Sequence, residues 1–425
     1  MNPASLDNLP FAGDRVFLHC DMNNFFASVE CLQQPDLRSK PVAVCGAAEM
    51  RQGIVLAKNG VAKALGILTG ESIPEAKAKC PDLVVVKPHY PLYLKYAKLA
   101  RRIYSDYTDE IIVYGLDEAW LDVTKSQSLY GGGVAIADRV RERMREELGL
   151  TISVGVSFNK VFSKLGSDMK KPDATTVILR DDYKDIVWRL PVKELLFVGK
   201  SLQHKLFLHH IISIGDLAAA DPLLLKRVLG KVGLVLWQFA NGDDSSFIPE
   251  EDDATLIKSI GNNTTPPRNL DTPQDVKLLL YVLADSVSTR LRSNRLNTKT
   301  IQIHVRDSRF NTREFQTRLT KPTQCASEIF TAAMDLFTKQ YVWRNPVRTI
   351  GIRAANLESS VISQVTLFDA EGPAKESKLE YAVDEIRKRF GYFSIERALV
   401  LSSKNMFQLP VQSEYTVGTK IRKYQ

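Results

Sequence analysis

Three acidic residues pose the chemical question. Asp21 follows the apolar run Val16 to Cys20, and the adjacent pair Asp117 and Glu118 sits inside "IIVYGLDEAWLDV", residues 111–123. Successive side chains on a regular strand point to opposite faces, so neighbouring acids can serve one site only where the backbone turns; Gly115 permits that turn. Carboxylates in largely apolar surroundings repel one another and are costly to desolvate, and a divalent cation relieves both. Hard oxygen ligands suit Mg2+ or Mn2+. With Asp21 as a third acid, the set would have what in-line phosphoryl transfer around two ions requires. One ion would activate an attacking hydroxyl and the other would hold a triphosphate and its leaving pyrophosphate. Taken singly, Asp21 also reads as a helix cap and the pair as a surface turn.

Such acids need a sheet to hold them. Asp21 ends a short apolar strand and leads into "DMNNFFASVE", whose spacing suits the start of a helix. "KPVAVCG" and "GIVLAKN" read as short strands, and "VAKALGI" and "IPEAKAKCP" as short helices stopped by glycine or proline, which together make a small α+β lobe. The strand bearing the acid pair is followed by the helix "VAIADRVRERMREELG", with its glycine stop, and by the alternating strand "LTISVGVSF". The order β, α, β, β, α, β is the split βαβ arrangement of a ferredoxin-like sheet, at whose centre Asp21 is expected to meet Asp117 and Glu118.

From about Asp181 the pattern turns helical. "FVGKSLQHKLFLHHIISIGDLAAAD" suits a helix-hairpin-helix, with a tight turn at Val198, Gly199 and Lys200 that would present amide N–H groups to phosphate. A plain αα-hairpin, whose glycine serves only the turn, fits the same residues. "NGDDSSFIPEEDDA" is acidic and turn-rich and reads as a linker. Beyond it come "TLIKSIGNNTTPPRNL", a helix holding "STRLRSNRL", and three strand-like runs, "TKTIQIHVRD", "TREFQTRL" and "PVRTIGIRAANL". Basic residues alternating with Ile and Val place charge on one face and core on the other, the shape of a sheet laid on phosphates. The tail carries an amphipathic helix, "SKLEYAVDEIRKRFG".

Composition bounds the rest. At 425 residues the chain exceeds one core and suits two to four domains. Lys and Arg number 57 against 49 Asp and Glu, a formal charge of +8 and a pI near 9.0. That mild excess fits a solvated basic surface as well as a polyanion partner. Cys20, Cys31, Cys45, Cys80 and Cys325 form no CxxC pair or metal-ligand spacing, which argues against a disulfide framework or zinc and for a reducing compartment. A basic-then-apolar leader and an apolar run of membrane length are both missing, so a cytoplasmic protein without membrane contact is expected.

"DMNNFFASVE", "YGLDEAWLDVT" and "VSFNKVFSKLGSDMKKP" closely resemble the three catalytic blocks of the Y-family translesion DNA polymerases, in the bacterial branches around DNA polymerase IV and the UmuC-like UV-repair proteins. "KSIGNNTTPPR", the turn at Val198 to Lys200 and "PVRTIGI" match later blocks in the same order, so the resemblance spans roughly Val16 to Leu357. It implies an α+β right-hand polymerase: a ferredoxin-like palm (1–28 and 90–178), small fingers (29–89), a helix-hairpin-helix thumb (179–247), a linker (248–257), an α/β little finger (258–358) and a tail (359–425). It further implies that Asp21 and Asp117 bridge two Mg2+ ions, that Glu118 completes the catalytic one, and that the Met22 carbonyl joins the nucleotide-bound one.

Phe26 matches the steric gate that excludes a ribose 2′-hydroxyl, with Asn24 and Phe25 beside it. Lys171 matches the lysine on the triphosphate of the incoming deoxynucleotide, and Lys160 lies near it in sequence. Where many relatives set a tyrosine and an arginine on the triphosphate this chain has Gly60 and Lys63, and Lys63 supplies charge without a bidentate grip. Phe197 replaces the first of the two usual hairpin glycines, and Asn23 a second aspartate. Lys258, Ser259, Arg268 and Arg306 are the expected primer-template contacts of the little finger. "QVTLFD", Gln364 to Asp369, resembles the peptide by which bacterial polymerases bind the sliding clamp (β clamp); Leu367 and Phe368 would be its apolar anchors and Gln364 its polar register. The resemblance implies an error-prone, damage-tolerant polymerase without proofreading, expected as a monomer. A nucleotide cyclase would share the sheet and the acids but has no use for the hairpin, the basic sheet or the clamp peptide. A non-catalytic DNA-bound accessory protein would not need Asp21, Asp117 and Glu118 intact.

Overall fold

The computed structural model describes residues 11, 14–46, 53–245, 257–360, 372–396 and 398. Two compact units divide the chain, one built mainly from residues 1–46 and 54–254, the other mainly from 255–416.

In the first unit, β1 (Phe17–Met22) runs into α1 (Phe25–Gln33). A small lobe follows: β2 (Val42–Cys45), β3 (Val55–Lys58), α2 (Gly60–Ala64), α3 (Ile73–Lys79) and β4 (Val84–Val86), its sheet ordered β3-β2-β4. The chain returns through α4 (Tyr90–Ser105), β5 (Ile111–Tyr114), β6 (Glu118–Asp122), α5 (Gln127–Tyr130), α6 (Gly133–Leu148), β7 (Ile152–Ser157), α7 (Lys160–Met169) and β8 (Thr175–Ile178). β1 is the middle strand of the resulting five-stranded sheet, β5-β6-β1-β7-β8. Every residue of β1 and β7 is buried, because helices cover both faces.

Alternation along β1 decides which helix each side chain meets. Leu18 faces α6, which lies so close that a Cβ on Gly133 would stand 2.5 Å from Val16 and 3.8 Å from Leu18. The opposite face, carrying His19 and Asp21, receives α7. There a Cβ on Gly155 would lie 1.9 Å from the Ser163 carbonyl oxygen and 2.5 Å from the Ser167 nitrogen, so only glycine lets α7 seat on β7. The rest of the unit is helical: α8 (Tyr183–Val187), α9 (Lys200–Phe207), α10 (Ile214–Ala219), α11 (Pro222–Leu229) and α12 (Lys231–Ala240).

The second unit opens with β9 (Ser259–Thr264), then α13 (Pro273–Ser293), β10 (Leu296–Asp307), β11 (Thr312–Thr323), α14 (Ala326–Gln340), β12 (Val347–Ser359) and α15 (Gly372–Phe390). Its antiparallel sheet, β11-β10-β12-β9, packs Ile301, Ile303, Val305, Ile350 and Ile352 against α13 and α14. The alternate residues of β10, Gln302, His304 and Arg306, stand on the uncovered face beside Arg353. α14 was not foreseen from sequence. Its apolar residues Ile329, Ala333, Leu336 and Phe337 recur at helical spacing and enter this core. α15 docks on α13 by charge: Arg292, almost wholly buried, pairs with Glu380 and Asp384, and Arg387 reaches Asp285 at 2.8 Å.

Candidate active site

Asp21 and Glu118 are direct cross-strand partners on β1 and β6, so their side chains share one face. Asp117 sits in the turn that feeds β6, where Gly115 adopts φ +84° and the Met22 amide donates to the Asp117 carbonyl at 3.0 Å. The turn thus resolves the alternation conflict of adjacent acids. Burial pushes the Asp117 carboxyl up to about 6, and the negative charges of Glu118 and Asp21 add to it.

Helix α7 brings the opposing charge. The Lys164 ammonium lies 3.3 Å from Asp21, 3.1 Å from Glu118 and 3.1 Å from Asp168, while Lys171 lies 2.8 Å from Asp21 and 2.7 Å from Asp168. Burial alone would lower both lysines, yet the surrounding carboxylates outweigh it and hold both above their ordinary value. Glu118 also faces His19 Nε2 at 3.3 Å, and the other ring nitrogen of this buried imidazole is 2.8 Å from the Ser167 hydroxyl. Burial would raise Glu118, but His19 and Lys164 together hold it below the usual range.

Among the described residues no three His, Cys, Asp or Glu side chains stand gathered as a metal set. The acids gather instead around ammonium groups, which take the place of a cation between hard oxygen donors. That donor chemistry, with Asp117 buried beside the like charges of Glu118 and Asp21, fits a divalent ion such as magnesium.

The start of α1 forms a second wall. Asn24 turns the chain with φ 51°, which buries Phe25 and leaves Phe26 half-buried. Phe26 stacks on Tyr93 of α4, with ring centroids 4.2 Å apart and planes 9° apart, and meets Tyr90 edge-on at 6.0 Å. The Tyr93 hydroxyl donates to the buried Glu30 carboxylate, which also pairs with His89 at 2.9 Å. Asn23 is buried; its amide nitrogen donates to Ser153 at 3.0 Å and its oxygen accepts from the Asp173 amide at 2.9 Å. It therefore ties β1 to the segment that carries Lys171.

Comparison with known proteins places this geometry. Residues 20–168 match the impB/mucB/samB family and residues 257–367 match its C-terminal domain. The solved Y-family DNA polymerase chimera Dbh-Dpo4-Dbh aligns with a TM-score of 0.71 at 23% identity, covering 80% of this chain and 98% of its own. DNA polymerase IV of Acetivibrio thermocellus is 51% identical over 396 residues, 92% of this chain and 99% of the relative. The chain belongs to the Y family of DNA polymerases. DNA polymerase IV 1 of Bacillus subtilis is 33% identical over 392 residues, covering 92% of this Y-family chain and 94% of that relative.

Other sequence-derived candidates of this Y-family chain stand elsewhere. Lys160 is turned from the acids toward Asp244 at 3.6 Å and the Phe17 ring at 5.1 Å, and it is Lys164, one helical turn later, that reaches Asp21. Sequence reasoning passed over Lys164, because no local feature ties it to Asp21, 143 positions earlier in the chain. Lys63 is exposed on α2 of the small lobe. Val198 is buried, Gly199 is the N-cap of α9 without a side-chain cap bond, and Lys200 opens that helix exposed. Phe197, where a glycine was expected, holds φ 71°, a conformation rare for an aromatic residue. Lys258, Ser259 and Arg306 are exposed on the second unit, whereas the Arg268 guanidinium forks on Asp275 at 2.8 and 3.2 Å. Gln364, Leu367 and Phe368 lie outside the described residues.

Proposed function

We propose that Asp21, Asp117 and Glu118, with the Met22 carbonyl, hold two Mg2+ ions, Mn2+ being able to replace them, for the transfer of a deoxynucleotide to a primer end. The chain is a DNA-directed DNA polymerase of the translesion class. Carrying this assignment is the convergence of β1, the β5–β6 turn and α7 on one charged cluster, in a chain 51% identical to a DNA polymerase IV. When bound, the ions supply Lewis acidity and charge neutralisation at the reacting phosphate. The chain supplies the rest. Asp21 and Glu118 fix hard donors opposite one another, and His19 orients the Glu118 carboxylate. Lys171, now on Asp21 and Asp168, is the ammonium placed to turn to a triphosphate. Phe26, stacked on Tyr93, is a rigid wall for the sugar and Asn24 and Phe25 set its position.

Domain roles follow in the same reading. The five-stranded sheet is the palm, the β3-β2-β4 lobe the fingers with Lys63 toward the nucleotide, and α8 to α12 the thumb, where the turn at Val198 to Lys200 offers amides to DNA. The uncovered face of the second unit, with Lys258, Ser259 and Arg306, is the primer-template surface of the little finger. Gln364 to Asp369 is the sliding-clamp peptide of a monomeric, cytoplasmic polymerase. Among the described residues no helix is long and apolar enough to cross a membrane.

The test is primer extension with Mg2+ on undamaged and abasic templates, beside the Asp117→Ala, Glu118→Ala double variant. Extension by the wild type on both templates, lost in the variant, is expected. A variant that extends as well as the wild type would remove these acids from the reaction.

A further inference from the structure

The helical side of the second unit holds a cavity of about 440 Å³ at the sheet end where β10 turns into β11. Arg309, Arg313 and Arg344 line it, with Tyr341 at its wall. It does not belong to the uncovered face. Arg313 stands opposite Val305, a core residue beneath the helices, so its side chain shares their side of the sheet; Tyr341 directly follows α14.

The cavity rests on a fixed floor. Asp307 accepts from the Arg309 and Asn311 amides at 2.9 Å each, and from the side-chain amides of Asn311 and Asn345 at 3.0 Å each. The Ser308 amide donates to the Pro346 carbonyl at 2.8 Å. This knot binds the hairpin carrying Arg309 and Arg313 to the segment carrying Arg344. It also engages both oxygens of the one carboxylate at the site with neutral N–H donors. Among the described residues none of the three guanidinium groups makes a hydrogen bond or ion pair, although other arginines of the helical layer do: Arg268 pairs with Asp275, Arg292 with Glu380 and Asp384, Arg387 with Asp285. Three cations held around one hollow repel one another unless an anion enters, and forked guanidinium donors match phosphate oxygens.

We propose that Arg309, Arg313 and Arg344 form a phosphate-binding pocket for nucleic-acid backbone, on the side of the little finger away from its proposed primer-template face. The inference rests on the polymerase reading for its ligand and adds a second contact surface to it. Whether the phosphates come from duplex or from single-stranded template is decided by the measurement.

Affinity would be measured by fluorescence anisotropy, between 50 and 200 mM salt, for a labelled primer-template and a labelled single strand. The full-length wild type would be compared with the Arg309→Gln, Arg313→Gln, Arg344→Gln variant. Each phosphate contact contributes about 0.9 to the salt slope on duplex and about 0.7 on single strands. Across that range the wild type should therefore lose about 40-fold more affinity than the variant if the pocket holds duplex, or about 20-fold more if it holds single strand. The three side chains are exposed or at the rim, so the variant's melting temperature should match the wild type's and a drop would be visible separately. Equal slopes on both DNAs would overturn the pocket while leaving the polymerase reading intact. Equal slopes joined to loss of poly-glutamate binding would reassign it to an acidic protein partner. Failure of the wild type to bind either DNA would overturn the polymerase reading and the pocket's ligand together.

Discussion

Replacing Lys164 with methionine tests the charge balance of the site most directly. The ammonium stands within 3.3 Å of Asp21, Glu118 and Asp168, and its side chain is 12% exposed. Removing one partner of a buried ion cluster leaves the others uncompensated, at a cost of about 3 to 5 kcal/mol. Lys171 still neutralises Asp21 and Asp168, so the lower end, about 3 kcal/mol, is expected, or roughly 6 to 12 °C in the melting temperature of a unit this large. A divalent cation should restore much of that loss, because it replaces the missing charge without displacing an ammonium. At a hundredfold excess over its dissociation constant it stabilises by about 2.7 kcal/mol. The assay is thermal melting in EDTA and across a Mg2+ titration, with Lys164→Arg as the conservative control. The variant should melt low in EDTA and gain more from Mg2+ than the wild type does. Equal melting in EDTA, or equal gains from Mg2+, would refute the placement of the cation site among these acids.

Loosening the support of Phe26 should relax sugar selection: an aromatic pair is worth about 0.5 to 1.5 kcal/mol, so Tyr93→Leu or Glu30→Gln should raise ribonucleotide relative to deoxynucleotide incorporation by about 2- to 12-fold in single-nucleotide extension. An unchanged ratio would detach the Tyr93–Glu30 pair from the gate. Burial pushes the Asp275 carboxyl up, but its bonds to Arg268 and Thr272 outweigh this and leave it below the ordinary value. Its stabilisation is thus complete above the unfolded value of about 3.9 and lost as pH falls through the lower folded one, so Asp275→Asn should flatten the acid limb of the unfolding curve below about pH 4. Replacing Gln364, Leu367 and Phe368 with alanine should abolish capture by the sliding clamp and leave extension without the clamp unchanged; retained capture would remove the peptide from that role.

What the sequence made legible was what periodicity and punctuation encode. β1, β6 and β7 were readable as apolar or alternating runs, and Gly115 as the turn before the acid pair. Side-chain pairing across 140 residues or more was not. Nothing near Lys164 or Lys171 announces Asp21 as a partner; that contact depends on Gly155, whose missing side chain lets α7 approach β7. Lys160 was the more conspicuous lysine beside its asparagine, yet as the first residue of α7 it leans to Asp244. Similarly, Arg268 sits in a family-like block, but α13 begins five residues later and its capping-box residue Asp275 takes the guanidinium. α14 escaped notice because two basic strands flank it and its own residues carry no motif, only the spacing of a core helix.

The charges of the site also impose an order on what can enter it. Asp21, Asp117, Glu118 and Asp168 carry four negative charges near neutral pH against two positive charges on Lys164 and Lys171, a formal −2 (−4 + 2). A triphosphate, itself roughly −4, is therefore repelled by the cluster as it stands. Two divalent ions would invert the cluster to about +2, and the same triphosphate would then be drawn in. The lysines cannot do this alone, since both are engaged by the acids they neutralise. Lys171 is the more exposed of the two, 26% against 12%, and when it leaves Asp21 and Asp168 only Lys164 remains to balance them, a deficit that divalent charge would make good. On the proposed assignment, with two divalent ions among these acids, Lys171 would be freed from Asp21 and Asp168 to meet a triphosphate, so that its grip would be conditional on the same ions.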